Sequence, residues 1–160
     1  MWIKKMVVAV TLVAASQLAS TQILFAMGSD SGSSSLVKAA DPNYELGKQA
    51  IDAKDWNMAV TQLNKVVEKD PKNADAFNYL GFAHRQMGDY DMAFTEYGKA
   101  LALNPDHKGA NEYIGEAYLK TGKLDMAEQH LAKLDSICTF GCAEYTLLKR
   151  KVEEFKAAQN

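Results

Sequence analysis

The sequence predicts an all-α solenoid of three helix pairs, stacked side by side and closed by a seventh helix. Two observations lead to it. Small and apolar residues return at a fixed period of 34 positions, and the segments between them carry apolar residues at helical spacing. Gly47, Gly81 and Gly115 mark the period, as do Ala59, Ala93 and Ala127 twelve residues further on. Leu46, Leu80 and Ile114 precede the glycines, Leu63, Tyr97 and Leu131 follow them by sixteen, and Pro71 and Pro105 follow the first two by twenty-four.

Each element has a local cause. Asp41-Pro42 opens the first helix as a capping carboxylate followed by a proline in the first turn. Asp55 and Asp89 stand where the second helix of a pair should begin, and a carboxylate there accepts orphan backbone N–H groups. In the middle unit Phe77, Leu80, Gly81 and His84 share one helical face, and Ala93, Tyr97 and Ala100 share the face of its partner. Small residues at Gly81 and Ala93 let the two axes approach, where larger ones would overpack the seam at a cost of about 1–3 kcal/mol. Asn104-Pro105 is expected to stop one repeat and start the next. The third unit ends differently, in Cys138-Thr139-Phe140-Gly141-Cys142. The segment 143–159 then puts Tyr145, Leu148, Val152 and Phe155 on one face, with Lys149, Arg150, Glu153, Glu154 and Lys156 opposite, the pattern of a cap over an open solenoid edge. The division expected is a leader over 1–28, a Ser/Gly linker over 29–39, repeats over 40–73, 74–107 and 108–141, and a capping helix over 142–160.

The middle unit carries the fullest motif: Ala74-Asp75-Ala76-Phe77-Asn78-Tyr79-Leu80-Gly81, then Gly88-Asp89-Tyr90-Asp91-Met92-Ala93, then Ala100-Leu101 and Asn104-Pro105. With its 34-residue period, this resembles the tetratricopeptide repeat (TPR) family over about residues 40–141. The resemblance implies a right-handed superhelix whose concave face binds a peptide or partner helix through the second, fifth, ninth and twelfth positions of each repeat. Carried over, these are Asp41, Tyr44, Lys48 and Ile51, then Asp75, Asn78, Phe82 and Arg85, then Gly109, Glu112, Glu116 and Leu119. Tyr44, Lys48, Asn78, Phe82, Arg85, Glu112 and Glu116 are the groove residues expected to hold a partner, an aromatic anchor among charges of both signs. Phe82 and Arg85 are expected to lie off the helix-pair seam, so that both could be truncated with little loss of stability. One subfamily clamps the terminal carboxylate of heat-shock chaperones. Here Tyr44, Tyr79, Gly109 and Tyr113 fill four of its five positions and only Lys48 brings a cation, so that clamp is not expected.

Composition narrows the function. The 160 residues are 48% hydrophobic and 24% charged, with a net charge of −2. Removing Lys4 and Lys5 with a leader leaves 16 basic against 20 acidic residues, or −4. No cluster of Lys and Arg suits a phosphate backbone, so no nucleic-acid partner is expected. Lys4 and Lys5 precede an apolar run over 6–15 and a weaker one over 23–26, with Ala26-Met27-Gly28 as a small-x-small cleavage pattern. Cleavage after Gly28 is the first reading, after Ala26 the second, with an uncleaved membrane anchor or a core helix as alternatives. The leader directs the chain to the periplasm or outside. There Cys138 and Cys142, the only two cysteines, are expected to pair, with Gly141 breaking the helix between them. No nucleophile elbow, phosphate loop, dinucleotide fingerprint or His-Glu-x-x-His motif occurs, and no cofactor or metal is expected. His84 reads as a packed core residue; His107 and His130 follow it at a spacing of 23, out of step with the repeat. Met58, Met92 and Met126 keep the 34-residue period, but equivalent helices lie on the order of 10 Å apart, too far for one metal ion, so the stripe reads as a partly exposed outer face. The function expected is a non-enzymatic scaffold or adaptor of the bacterial envelope. The alternative is a redox or metal-handling periplasmic protein using Cys138 and Cys142.

Overall fold

A computed structural model describes residues 41–159. The expected leader, the linker and Asn160 lie outside the described residues. Among the described residues seven helices follow in order: α1 (Pro42–Asp52), α2 (Trp56–Lys69), α3 (Ala74–Gln86), α4 (Tyr90–Leu103), α5 (Lys108–Lys120), α6 (Leu124–Ile137) and α7 (Ala143–Ala157). They pack as three antiparallel pairs, α1 with α2, α3 with α4 and α5 with α6, and α7 closes the stack against α5 and α6.

Capping side chains set the helix starts. Asp41 accepts the Asn43 N–H at 2.8 Å, Asp55 the Met58 N–H at 3.0 Å and Asp89 the Met92 N–H at 3.2 Å, as the sequence indicates. The prolines do less than expected. Pro71 and Pro105 follow the C-caps Asp70 and Asn104, so they stop a repeat, but the next helix starts three residues later. Its caps are Asn73, whose side-chain oxygen accepts the Ala76 N–H at 3.0 Å, and His107, whose Nδ1 accepts the Ala110 N–H at 3.1 Å. Lys123 opens α6 with no side-chain cap at all. The turn inside each pair needs one residue in the left-handed region: Gly88 and Gly122 take it, and Lys54 holds it at φ 58° in the first repeat.

The 34-residue glycines sit at close helix–helix contacts. A β-carbon at Gly47 would lie 2.7 Å from Leu63, and one at Gly81 would lie 2.6 Å from the ring of Tyr97. The third repeat breaks this register. Gly115 receives Leu148 from α7, at 2.6 Å from such a β-carbon, in place of its own Leu131. Leu63, Tyr97 and Leu148 are each completely buried. The capping helix therefore inserts into the last repeat at the same kind of notch that joins the helices of the first two.

The helix break before α7 follows the expected course. Cys138 caps the end of α6, Gly141 turns at φ 83°, and Cys142 caps the start of α7. The two cysteines have Cα atoms 5.6 Å apart and sulfur atoms at disulfide-bonding distance.

Two stability predictions follow from the seam. Gly81→Ala should destabilise the fold by about 1–3 kcal/mol in urea denaturation, because the Tyr97 ring has nowhere to go. Gly98→Ala, a helix-interior site with open space around it, should instead stabilise by about 0.5–1 kcal/mol. A matching loss at both positions would contradict the seam. Reduction of the cysteine pair should raise hydrogen exchange in α7 before it affects α1; uniform exchange across all helices would show that the link does not hold α7 in place.

Candidate functional site

The first helices of successive repeats stand beside one another, α1 by α3, α3 by α5 and α5 by α7, and form one wall of the solenoid. Helical register puts Tyr44 and Lys48, then Asn78, Phe82 and Arg85, then Glu112 and Glu116 on this wall. Aromatic rings run along it. Tyr44 meets Tyr79 edge-on at 5.9 Å between centroids, and Phe82 sits between Trp56 at 6.0 Å and Tyr113 at 5.0 Å. The Arg85 guanidinium lies over both Phe82 and Tyr113, at 5.2 and 5.5 Å from the ring centres.

Charges cluster at the α3–α5–α7 junction. Arg85 donates to one oxygen of Glu116 at 2.6 Å, and Lys151 of α7 pairs with the other oxygen at 2.6 Å. One turn earlier Glu112 is 5% exposed, with no hydrogen bond or ion pair among the described residues. Burial, followed by the like charges of Glu116 and Glu144, pushes its carboxyl up to about 7, while Lys151 and Arg85 pull the other way. Asn78 is also 5% exposed, and its side-chain oxygen is buried without a partner. Beyond Glu116 a cleft of about 450 Å³ opens between α5 and α7, lined by Leu119, Lys120, Arg150, Lys151 and Phe155.

The expected groove surface, an aromatic among charges of both signs, is more buried than its residue types suggest. Asn78, Glu112 and Glu116 are buried, and the Arg85 side chain is 9% exposed. Removing Arg85 would leave the buried Glu116 carboxylate with one cation instead of two, so the expected tolerance to its truncation does not hold. Tyr44, Lys48 and Phe82 keep intermediate exposure. Four participants were missed: Trp56, Tyr79 and Tyr113 in the aromatic row and Lys151 from α7. Lys151 could have been found, since it lies one turn from the buried Leu148 and so on the packed side of the capping helix.

The other candidate residues are structural by their contacts. His84 is largely buried with Nδ1 3.6 Å from Asp89, His107 caps α5 and bonds Asp75 at 2.9 Å, and His130 bonds Asn111 at 2.9 Å and stacks on Tyr118. Among the described residues no three His, Cys, Asp or Glu side chains converge as metal ligands. Met58, Met92 and Met126 are exposed at 47, 40 and 36% on the second helices.

With the geometry in place, comparison with known proteins identifies the fold's kin. Residues 74–107 match the model described as tetratricopeptide repeat, and residues 47–88 match a second model described as TPR repeat. Together these matches place tetratricopeptide repeats over residues 47–107. Solved structures agree on the fold. The first TPR of Spaghetti (RPAP3) bound to the HSP90 peptide SRMEEVD aligns with a TM-score of 0.64 at 21% identity, covering 72% of this chain and 90% of that one. PcrH in complex with the chaperone binding region of PopD aligns at 0.64 and 22%, covering 74% and 91%. The translocator chaperone SycD of Yersinia enterocolitica aligns at 0.65 and 20%, covering 73% and 83%. No curated protein matches the chain by sequence.

The buried carboxyl gives this TPR wall a pH signature. Glu112 has its folded pKa raised from the ordinary 4.5 to about 7, so the native state holds a proton that the unfolded chain has lost. Stability from this group is present below about 4.5 and declines as pH rises through about 7. Glu112→Gln should remove that decline: relative to wild type, its melting temperature should rise between pH 5 and 8. Parallel pH profiles for the two proteins would contradict the raised pKa.

Proposed function

We propose that this protein is a binding scaffold of the bacterial envelope that holds a peptide or helix of another protein along its concave wall. The observation that carries the reading is the partly exposed Phe82, fixed between Trp56 and Tyr113 and backed by Arg85. A rigid aromatic with a cation behind it is the kind of anchor that dominates interface energetics, because it fills a partner's pocket without losing much conformational freedom. Two solved TPR structures of the same fold hold peptide or partner segments, the HSP90 peptide in one and the PopD region in the other. The envelope location rests on the sequence alone, on Lys4, Lys5, the apolar run after them and Ala26-Met27-Gly28.

Both halves of the proposal are open to direct tests. A tagged protein expressed in its native cell should be recovered from the envelope with Ser29 as its first residue by intact mass; a soluble cytoplasmic form retaining Met1 would contradict export. A partner held by the wild type should be lost on Phe82→Ala, by about 2 kcal/mol or more of binding free energy, and retained on Met92→Ala. The reverse pattern would move binding to the outer methionine face.

A further inference from the structure

Beside Phe82 the wall holds two acceptors that the fold leaves unused. The Asn78 side-chain oxygen is buried and has no hydrogen-bond partner. Glu112 lies one repeat further on at the equivalent position, nineteen-twentieths buried, and it too has no hydrogen bond or ion pair among the described residues. The two sites adjoin. The Asn78 amide nitrogen would lie 3.3 Å from a β-carbon at Gly109, and Gly109 is one turn before Glu112 on the same face of α5. A buried amide oxygen left unsatisfied in a native interior is costly, and a fold that keeps one beside a largely buried carboxyl with no ion pair leaves room for a donor to be supplied from outside.

The charge around them specifies the donor. The groups acting on Glu112 are Arg85 from α3, Glu116 from its own helix, and Glu144 and Lys151 from α7. Arg85 and Lys151 both pair with Glu116, Arg85 through one terminal nitrogen while its Nε stays buried without a partner. With Glu112 ionised, two cations face three carboxylates, a net −1. We infer that the concave wall contains a subsite for a basic side chain of the bound peptide, with the lysine ammonium or arginine guanidinium donating to the Glu112 carboxylate and the Asn78 oxygen. This rests on the concave wall being the binding face. A cation seated there brings the local sum to zero and satisfies both acceptors with one group, and Phe82 is placed to pack on an apolar neighbour in the same peptide. The subsite selects against acidic segments, since an added carboxylate would face Glu112, Glu116 and Glu144.

The subsite also couples recognition to protons. A bound cation favours the ionised form of Glu112, so peptide binding releases a proton wherever the free carboxyl is protonated, and affinity for a basic peptide rises with pH through neutrality.

The experiment uses four fluorescein-labelled pools of eight-residue peptides, degenerate at seven positions with the fourth fixed as Lys, Arg, norleucine or Glu. Binding to the full chain is read by anisotropy at pH 5.5 and pH 8. The Lys and Arg pools should bind about tenfold tighter than the norleucine pool at pH 8 and only about twofold tighter at pH 5.5, with the Glu pool weakest. Glu112→Gln should reduce the preference to about twofold at both pH values, and Asn78→Leu should reduce it in part while keeping its pH dependence. Equal binding of all four pools would overturn the basic subsite and leave the groove reading standing, as would a preference for Glu. Binding by none of them would remove the groove reading and the subsite with it.

Discussion

Everything on the wall formed by the first helices depends on how closely two helices can approach at Gly47, Gly81 and Gly115. At each glycine the missing β-carbon is replaced by the side chain of another helix: Leu63, Tyr97 or Leu148. These contacts fix the axes of neighbouring helices within a fraction of an ångström, because close-packed interiors do not deform gradually. Fixed axes fix the register of α1, α3, α5 and α7, and that register decides which side chains meet. Arg85 reaches Glu116 across 31 residues of sequence, and Lys151 reaches it from the capping helix, only because the seams hold the wall in one geometry.

The third seam differs from the first two in a way that changes the wall. Gly115 takes its filler from α7, so the capping helix occupies a notch that the second helix of the same pair fills in the first two repeats. That placement brings Lys151 and Glu144 beside Glu116 and Glu112. A helix whose evident task is to cover an apolar edge thereby also sets the charge of the proposed binding face. The cysteine pair sits at the one turn where a change in chain direction would swing α7, and with it both charges, away from α5.

Much of this was legible in the sequence, for identifiable reasons. Period, helix pairing and the caps at Asp41, Asp55 and Asp89 are local or strictly repetitive features, and each repeat confirms the others. The caps at Asn73 and His107 were hidden by the neighbouring prolines, which are stronger punctuation but act on the helix that is ending. The burial of Glu112, Glu116 and Arg85 was not legible: a charged residue at a groove position reads as solvated, and only the arrival of α7 and the Arg85–Glu116 pair across repeats removes the water. The same cross-helix logic hid the Leu148-for-Leu131 exchange, since a fixed period predicts its own continuation and has no means of flagging a substitute from outside the repeat.

The central claim is that recognition occurs on the concave wall. Site-specific photo-crosslinking in the native cell tests it most directly, with a photoreactive amino acid placed at Lys48 on the wall or at Met92 on the outer face; both positions are partly exposed, so neither insertion disturbs the seams. The account predicts one discrete crosslinked partner from position 48 and none from position 92. A discrete adduct from position 92 with none from position 48 would contradict it.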